Sequence, residues 1–335
     1  MGISNLLYGR MEKGLDFLVK SKKVLIPDSS TPVRADENAN LNMILWGDPQ
    51  ISCLSPLRSA RVYSACLDVL NSDTSFDALV MLGDITEYGT ECEYKFTQRL
   101  IEPIAERFEN IFAVSGNHDI RLRNYKKQVQ RFSLFLEGIQ NGRTGSKDRY
   151  YFSKYVNGYK FIMLGSDRAT FEASYISKEQ LDWIDSELNS EKDSGKPVFV
   201  FNHQPLKRTN GLPVTFLGKG KWRGSVGRES NKLLEIFNKY DNVIYITGHL
   251  HYCTSKYTYE DCGNFKAISV PTVGVINHGS FSKFSQGYVL SVYDDKIVAR
   301  SRVFGEGKYV GKEIDNYEFE IGLKSNCKTA ENSVK

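Results

Sequence analysis

The 335-residue chain contains no run approaching the roughly 20 consecutive apolar residues needed to cross a bilayer. Its N-terminus also lacks an apolar stretch followed by a small-residue cleavage site, so a cytoplasmic protein without a membrane partner is expected. Cysteine is sparse: Cys53, Cys66, Cys92, Cys253, Cys262 and Cys327 form neither a dense disulfide framework nor a close CxxC pair, and reduced thiols are expected. A dominant charge is missing too, because 44 basic and 40 acidic residues leave a formal charge of only +4. That balance gives no general argument for a nucleic-acid partner and counts mildly against one. There is no repeat, heptad run or low-complexity block.

What is present is an ordinary globular composition, 41% hydrophobic, long enough for one large core with appendages. Residues 1–40 read as an N-terminal appendage and linker: a helix-like stretch from Leu6 to Lys20, basic residues, then the turn-rich Pro27-Asp28-Ser29-Ser30-Thr31-Pro32. Residues 41–305 read as the central domain, and 306–335 as a C-terminal extension ending in the polar tail Lys324 to Lys335. No motif encodes an oligomeric state.

Within the central domain, five apolar runs of strand length end in oxygen or nitrogen donors. Leu41–Trp46 leads to Gly47-Asp48, Phe76–Leu82 to Gly83-Asp84, and Phe108–Val114 to Gly116-Asn117-His118-Asp119. Val198–Phe201 leads to Asn202-His203, and Val243–Ile246 to Gly248-His249-Leu250-His251. Such placement puts the donors at the C-terminal edge of a sheet. Helices are expected near 57–71, 90–107, 121–137, 178–190 and 229–240, an alternation typical of an α/β core. The later runs Lys266–Val270, Tyr288–Val292 and Lys296–Phe304 are expected to form a second, largely antiparallel sheet.

Four of the five histidines fall inside these motifs. An isolated Gly-Asp pair is common turn material, and an isolated histidine is usually a satisfied surface or core residue. Two carboxylates and two histidine motifs in one ordered set read instead as a two-metal hydrolytic centre. Cys53 and Cys253 lie near Asp48 and His251 but lack zinc-cluster spacing. Asn117 can offer a neutral amide oxygen. His118 need not ligate: a carboxylate beside it, Asp119, would orient the ring and favour its charged form; the lesser alternative is that Asn117 and Asp119 merely cap the helix that starts near Ile120.

The set Asp48-Pro49-Gln50, Gly83-Asp84, Gly116-Asn117-His118-Asp119, Asn202-His203 and Gly248-His249-Leu250-His251 closely resembles the calcineurin-like metallophosphoesterase superfamily. The resemblance spans roughly residues 42–252. It implies a four-layer α/β/β/α sandwich, two mixed sheets flanked by helices, around a dinuclear metal site. It further implies that Asp48, Asp84 and His251, with Gln50 nearby, hold one metal. Asp84 then bridges to a second metal held by Asn117, His203 and His249. His118 takes the role of leaving-group acid or transition-state stabiliser, supported by Asp119.

Gln50 departs from the common family pattern, which has histidine there. A neutral glutamine oxygen is a weaker donor, and Mn²⁺ or Fe suits an oxygen-rich site, with Zn²⁺ an alternative. The implied function is hydrolysis of a small phosphoester by metal-activated water, foremost a nucleotide-like or other phosphodiester. A phosphomonoesterase (including a protein phosphatase), a nuclease and a non-enzymatic metal-binding scaffold are the alternatives. The segment Gln204 to Gly227 carries Lys207, Arg208, Lys219, Lys221 and Arg223 without one acid, so it reads either as a phosphate-attracting rim or as a solvated loop. Phe216, Trp222 and Tyr252 read as a stacking surface or as loop anchors, Arg143 to Arg149 as a solvated basic turn, and His278 as a further candidate pocket residue.

Overall fold

The fold is that of a computed structural model, which describes residues 3–122, 124–139, 150–216, 224–281 and 284–323. Two sheets pack face to face. In the first, β1 (Leu41–Trp46), β2 (Phe76–Leu82) and β3 (Phe108–Val114) run parallel. In the second, β4 (Phe152–Val156) runs antiparallel to β5 (Tyr159–Met163), and β5, β6 (Val198–Phe201) and β7 (Val243–Thr247) are parallel.

The later strands divide between the sheets rather than forming one of their own, contrary to the expectation from sequence. β8 (Tyr259–Asp261) pairs antiparallel with β9 (Phe265–Ser269), which lies parallel to β7 in the second sheet. β10 (Gln286–Val292) instead pairs antiparallel with β1 and carries β11 (Lys296–Val303) beside it. The short β12 (Lys308–Tyr309) and β13 (Glu318–Gly322) both pair with β11. β10 therefore covers the edge of β1 that the parallel strands leave open.

The inner strands β1, β5, β6, β7 and β10 are buried along their whole length, which is why they read as largely continuous apolar runs and not as alternating ones. The period of two then sorts the side chains. Phe199 and Phe201 of β6, Ile244 and Ile246 of β7, and Phe161 and Met163 of β5 enter the core between the sheets. Val198, Val200, Val243, Tyr245 and Ile162 enter a second core beneath α6 (Lys178–Asn189) and α7 (Ser230–Phe237). Across the central core, the Phe112 and Phe161 rings lie 5.8 Å apart in a tilted pair.

The outer layer on the first sheet is built from α1 (Ile3–Lys20), α2 (Pro56–Leu70), α3 (Glu91–Ile101), the single turn α4 (Asn117–Ile120) and α5 (Tyr125–Ile139). Their starts carry ordinary signals: Pro56 in the first turn of α2, and a Thr90–Glu93 capping box on α3. Met11 of α1 is buried in the main core, with Tyr8 and Leu15 packed against it. No helix among the described residues is long and apolar enough to cross a membrane.

Candidate metal centre

The donor-bearing strand ends of both sheets meet at one seam. β1, β2 and β3 deliver Asp48, Asp84 and Asn117 from the first sheet, while β6 and β7 deliver His203, His249 and His251 from the second. Asp84 is shared by two groups of converging ligand atoms, one with His203 and His249 and the other with Asp48 and His251.

In the first group, the His203 Nδ1–H donates to the Leu82 carbonyl at 2.6 Å, which leaves Nε2 with its lone pair facing the seam. That Nε2 lies 3.2 Å from Asp84 Oδ2, 3.1 Å from Asn117 Oδ1 and 3.1 Å from His249 Nδ1. Four atoms that can each offer a lone pair thus crowd one point, an arrangement a cation satisfies and hydrogen bonding alone does not. In the second group, His251 Nε2 lies 3.0 Å from Asp48 Oδ1. Gln50 Oε1 is buried without a hydrogen-bond partner, as is His249 Nε2. An orphaned buried acceptor in the company of a second carboxylate–imidazole pair fits a second cation.

Burial disfavours a charged His203, yet the Asp84 and Asp48 carboxylates push its pKa up to about 9. Burial would likewise raise the Asp84 carboxyl, but His203 and His118 hold it below the ordinary carboxylate range. Burial and then His203 keep His249 well below the usual imidazole value. The two carboxylates therefore demand positive charge between them, and a metal ion answers the same demand as a proton on His203.

Holding these donors has a conformational cost. Asp48, Gln50, Asp84, His249 and His251 all adopt positive φ, between 44° and 68°, a region that side-chain-bearing residues seldom occupy. Close approach adds a second constraint: a Cβ on Gly116 would meet Asp84 Oδ1 at 2.1 Å, and one on Gly83, itself at φ 84°, would meet His203 Nδ1 at 2.5 Å. The glycines in the Gly-Asp and Gly-Asn motifs make room for the donors themselves.

His118 stands at the seam. Its backbone N–H donates to Asp84 Oδ1 at 2.8 Å, and its Nε2 lies 3.9 Å from Asp84 Oδ2. The expectation that Asp119 orients this ring is corrected. The buried Asp119 carboxylate accepts the Ile85, Thr86 and Gly116 N–H groups and the Thr86 and Tyr94 hydroxyls, tying the end of β2 to the start of α4. Burial and then the Asp84 charge raise its pKa to about 6 despite these donors. His118 is oriented instead by the Glu87 carbonyl, which accepts from Nδ1–H at 3.0 Å, and by the Gln50 amide, which donates to Nε2 at 3.0 Å, while Arg121 lies 3.1 Å from Nδ1 without a lone pair to bond in this tautomer. The adjacent carboxylate cannot reach the ring because it is turned inward to cap backbone.

A cavity of about 170 Å³ opens on the seam, lined by Asp84, Asn117, His118, Glu172, Phe216, His249, Leu250, His251 and His278. His278 is thus brought to the pocket, its ring 6.4 Å from that of His251, and Phe216 stacks on His249 at 5.0 Å. Lys207 and Arg208 are not in this lining. Lys219, Lys221, Trp222, Arg223 and Arg143 to Arg149 lie outside the described residues. Residues that the sequence did not single out come from the loop before α6 and from the end of α4. Glu172 pairs with Arg121 at 3.2 Å, and the Asn117 amide donates to the Phe171 carbonyl at 3.1 Å. The Phe171 ring is 71% exposed and covers Arg121 at 4.9 Å. Nothing local to Phe171-Glu172 distinguishes it from any other loop dipeptide.

A family profile described as calcineurin-like phosphoesterase matches residues 50–253. A probable glycerophosphodiester phosphodiesterase of Arcobacter nitrofigilis is 26% identical over 193 residues, 57% of this chain and 62% of the relative. A probable cyclic nucleotide phosphodiesterase of Rhodococcus erythropolis is 26% identical over 198 residues, 59% of this chain and 58% of the relative. The chain thus spans less than two thirds of these relatives' own lengths. Among solved structures, a purple acid phosphatase from yellow lupin (Lupinus luteus) superposes with a TM-score of 0.57 at 16% identity, over 84% of this chain and 53% of its own. A dimetal phosphatase from Danio rerio superposes with a TM-score of 0.53 at 16% identity, over 85% of this chain and all of its own. At such identity these two likenesses speak for the fold, whereas the profile match covers well over half of the sequence and takes in every donor from Gln50 to His251, with Asp48 two residues before its start. The chain belongs to the calcineurin-like phosphoesterase family.

Proposed function

We propose that the chain is a metal-dependent phosphodiester hydrolase acting on a small, nucleotide-like or related diester. The observation that carries this reading is the pair of donor groups sharing Asp84, with carboxylate and imidazole in both. Asp84 would serve both cations, with Asn117, His203 and His249 holding one and Asp48, His251 and Gln50 the other. When bound, the two cations would supply Lewis acidity to a phosphoryl group and lower the pKa of a water. Oxygen donors and a neutral glutamine favour Mn²⁺ or Fe, with Zn²⁺ the alternative.

The chain's own groups then position and neutralise. His118 lines the cavity with its Nδ1–H on the Glu87 carbonyl; as an imidazolium, with Nε2–H turned from the Gln50 amide to the substrate, it would donate a proton to the leaving oxygen or counter charge on the phosphoryl group. Glu172 and the Phe171 carbonyl hold the Asn117 amide nitrogen, so its oxygen points to the seam. Relatives named as glycerophosphodiester and cyclic nucleotide phosphodiesterases support a diester over a monoester. The small cavity favours a low-molecular-weight substrate over a polynucleotide, which would need a longer electropositive track.

The test is hydrolysis of matched bis- and mono-p-nitrophenyl phosphate by Mn²⁺-reconstituted protein, with a chelated control. Chelator-sensitive cleavage that favours the diester is expected. Monoester preference, or no cleavage of either ester with Mn²⁺, Fe or Zn²⁺, would overturn the proposal.

A further inference from the structure

The N-terminal helix has two opposed faces, only one of which the fold uses. Tyr8, Met11, Leu15 and Leu18 turn inward, Leu18 joining Val24 and Ala60 in a small satellite core. On the opposite side Leu6, Arg10, Lys13, Phe17 and Lys20 recur at spacings of three and four, and all are exposed. The stripe continues past the helix end through Lys22, Lys23, Leu25 and Ile26, likewise exposed.

Two features set this face apart from an ordinary solvated one. Five of the seventeen large apolar side chains exposed among the described residues lie on α1 and the turn that follows it: Leu6, Phe17, Val19, Leu25 and Ile26, with Phe17 at 63% and Ile26 at 75%. The same stretch concentrates charge. Five basic and two acidic side chains give residues 1–26 a formal +3, three-quarters of the +4 of the whole chain. One of the two acids, Glu12, is already paired with Arg99.

The turn itself is held rigidly. Lys22 sits at φ 55°, the Lys23 N–H donates to the Leu18 carbonyl at 2.9 Å, and the Ser64 hydroxyl of α2 donates to the Leu25 carbonyl at 2.7 Å. Leu25 and Ile26 are therefore presented outward by a fixed backbone. Beside them, α1 touches the start of α2, where a Cβ on Gly14 would lie 2.9 Å from Pro56 and where Leu54 and Leu57 are also exposed.

We propose that this face docks the protein on an anionic lipid bilayer, lying on the surface without crossing it. Apolar side chains interleaved with lysines suit the interface, where rings and aliphatic tips enter the acyl boundary while the ammonium groups stay among anionic headgroups. A second copy of the chain is disfavoured because it would bring two basic stripes together. An acidic peptide needs a groove, and the cavity beside α1 opens on its inward side, at Tyr8, Gln98 and Arg99. The inference is independent of the proposed chemistry.

Co-sedimentation of the full chain with phosphatidylcholine vesicles, with and without phosphatidylserine, tests it. Binding should require phosphatidylserine and weaken as salt rises. The triple variant Lys20→Gln, Lys22→Gln, Lys23→Gln should bind at least roughly tenfold more weakly, since each lysine near an anionic surface contributes about 1 kcal/mol. Phe17→Ser with Ile26→Ser should also lose binding, and unchanged melting temperatures would show that both variants remain folded. Absence of binding by the parent chain, equal binding to neutral vesicles, or full binding by both variants would overturn the proposal. So would a dimer in sedimentation equilibrium that the Phe17–Ile26 variant abolishes while vesicle binding is absent.

Discussion

Two of the places where charge is buried among the described residues are built in opposite ways. Between α2 and β11, Arg302 and Asp68 are both fully buried, and the guanidinium donates from Nε and one terminal nitrogen to the two carboxylate oxygens at 2.7 Å each. The same terminal nitrogen reaches the Thr31 carbonyl at 2.8 Å, and the guanidinium carbon lies 4.8 Å from the centre of the Tyr309 ring. Donor meets acceptor, and the pair ties the linker, α2 and β11 together. At the seam, by contrast, Asp48, Asp84, Asn117, His203 and His249 turn acceptor toward acceptor, and Asp48, Asp84 and His249 do so from backbone held at positive φ. A mutually bonded buried pair, in which only Arg302 Nη1 is left without a partner, serves the fold; a convergence of acceptors on strained backbone serves a ligand.

The sharpest way to break this contrast is Asp84→Asn. Both donor groups use this carboxylate, so metal content and turnover should fall together, by more than the roughly 10- to 100-fold typical of losing an outer-shell partner. Metal analysis beside diester hydrolysis checks it, and near-normal activity with full metal content would remove Asp84 from the bridging role. Chelation should lower the melting temperature of the parent chain clearly and that of Asp84→Asn very little.

Arg302→Met probes the other region. Leaving Asp68 buried without its partner should cost about 3–5 kcal/mol of stability, read by denaturant unfolding, while metal content stays unchanged. Losing metal in this variant would mean that the two buried charge sites are coupled, and the contrast would fail.

The difference between the regions also explains what was legible in the amino-acid order. The seam could be read because each donor follows directly on a buried parallel strand, so a continuous apolar run and the polar residue ending it are neighbours in sequence. Asp68 and Arg302 are separated by 234 positions, and neither lies in a motif, so only the fold brings them together. The same limit hid the placement of β9 and β10: their apolar runs are interchangeable, and which sheet each joins depends on partners far away in the chain. Glu172, Phe171 and Arg121 escaped notice because a loop and a helix end carry no periodicity. Asp119 was assigned to its sequence neighbour His118, whereas the backbone turned it toward N–H groups 33 and 34 residues earlier.

Within the seam, His118 sharpens the comparison on a finer scale. It lies among the donors, yet both its ring nitrogens are engaged by protein groups, so it behaves like a satisfied residue in an unsatisfied neighbourhood. His118→Asn should lower kcat about 100-fold, the low end for loss of a general acid, while metal content holds. The loss should shrink for diesters with better leaving groups. A fall in metal content of similar size would move His118 from the proton-transfer role to the ligand set.

Gln50 carries the smallest expected effect and the finest distinction, because its two amide atoms belong to different regimes. Its nitrogen is engaged with His118 at 3.0 Å, while its oxygen is buried and unpaired. Gln50→His replaces the neutral oxygen with a stronger nitrogen donor and removes the amide contact to His118. Metal affinity should rise by about tenfold, read by chelator competition, because imidazole outbids a carboxamide for first-row metals. Turnover should fall by less than in His118→Asn, since the Glu87 carbonyl still orients the ring. A large loss of turnover with unchanged affinity would mean that this glutamine serves His118 and not the metal, leaving the second donor group with only Asp48, Asp84 and His251.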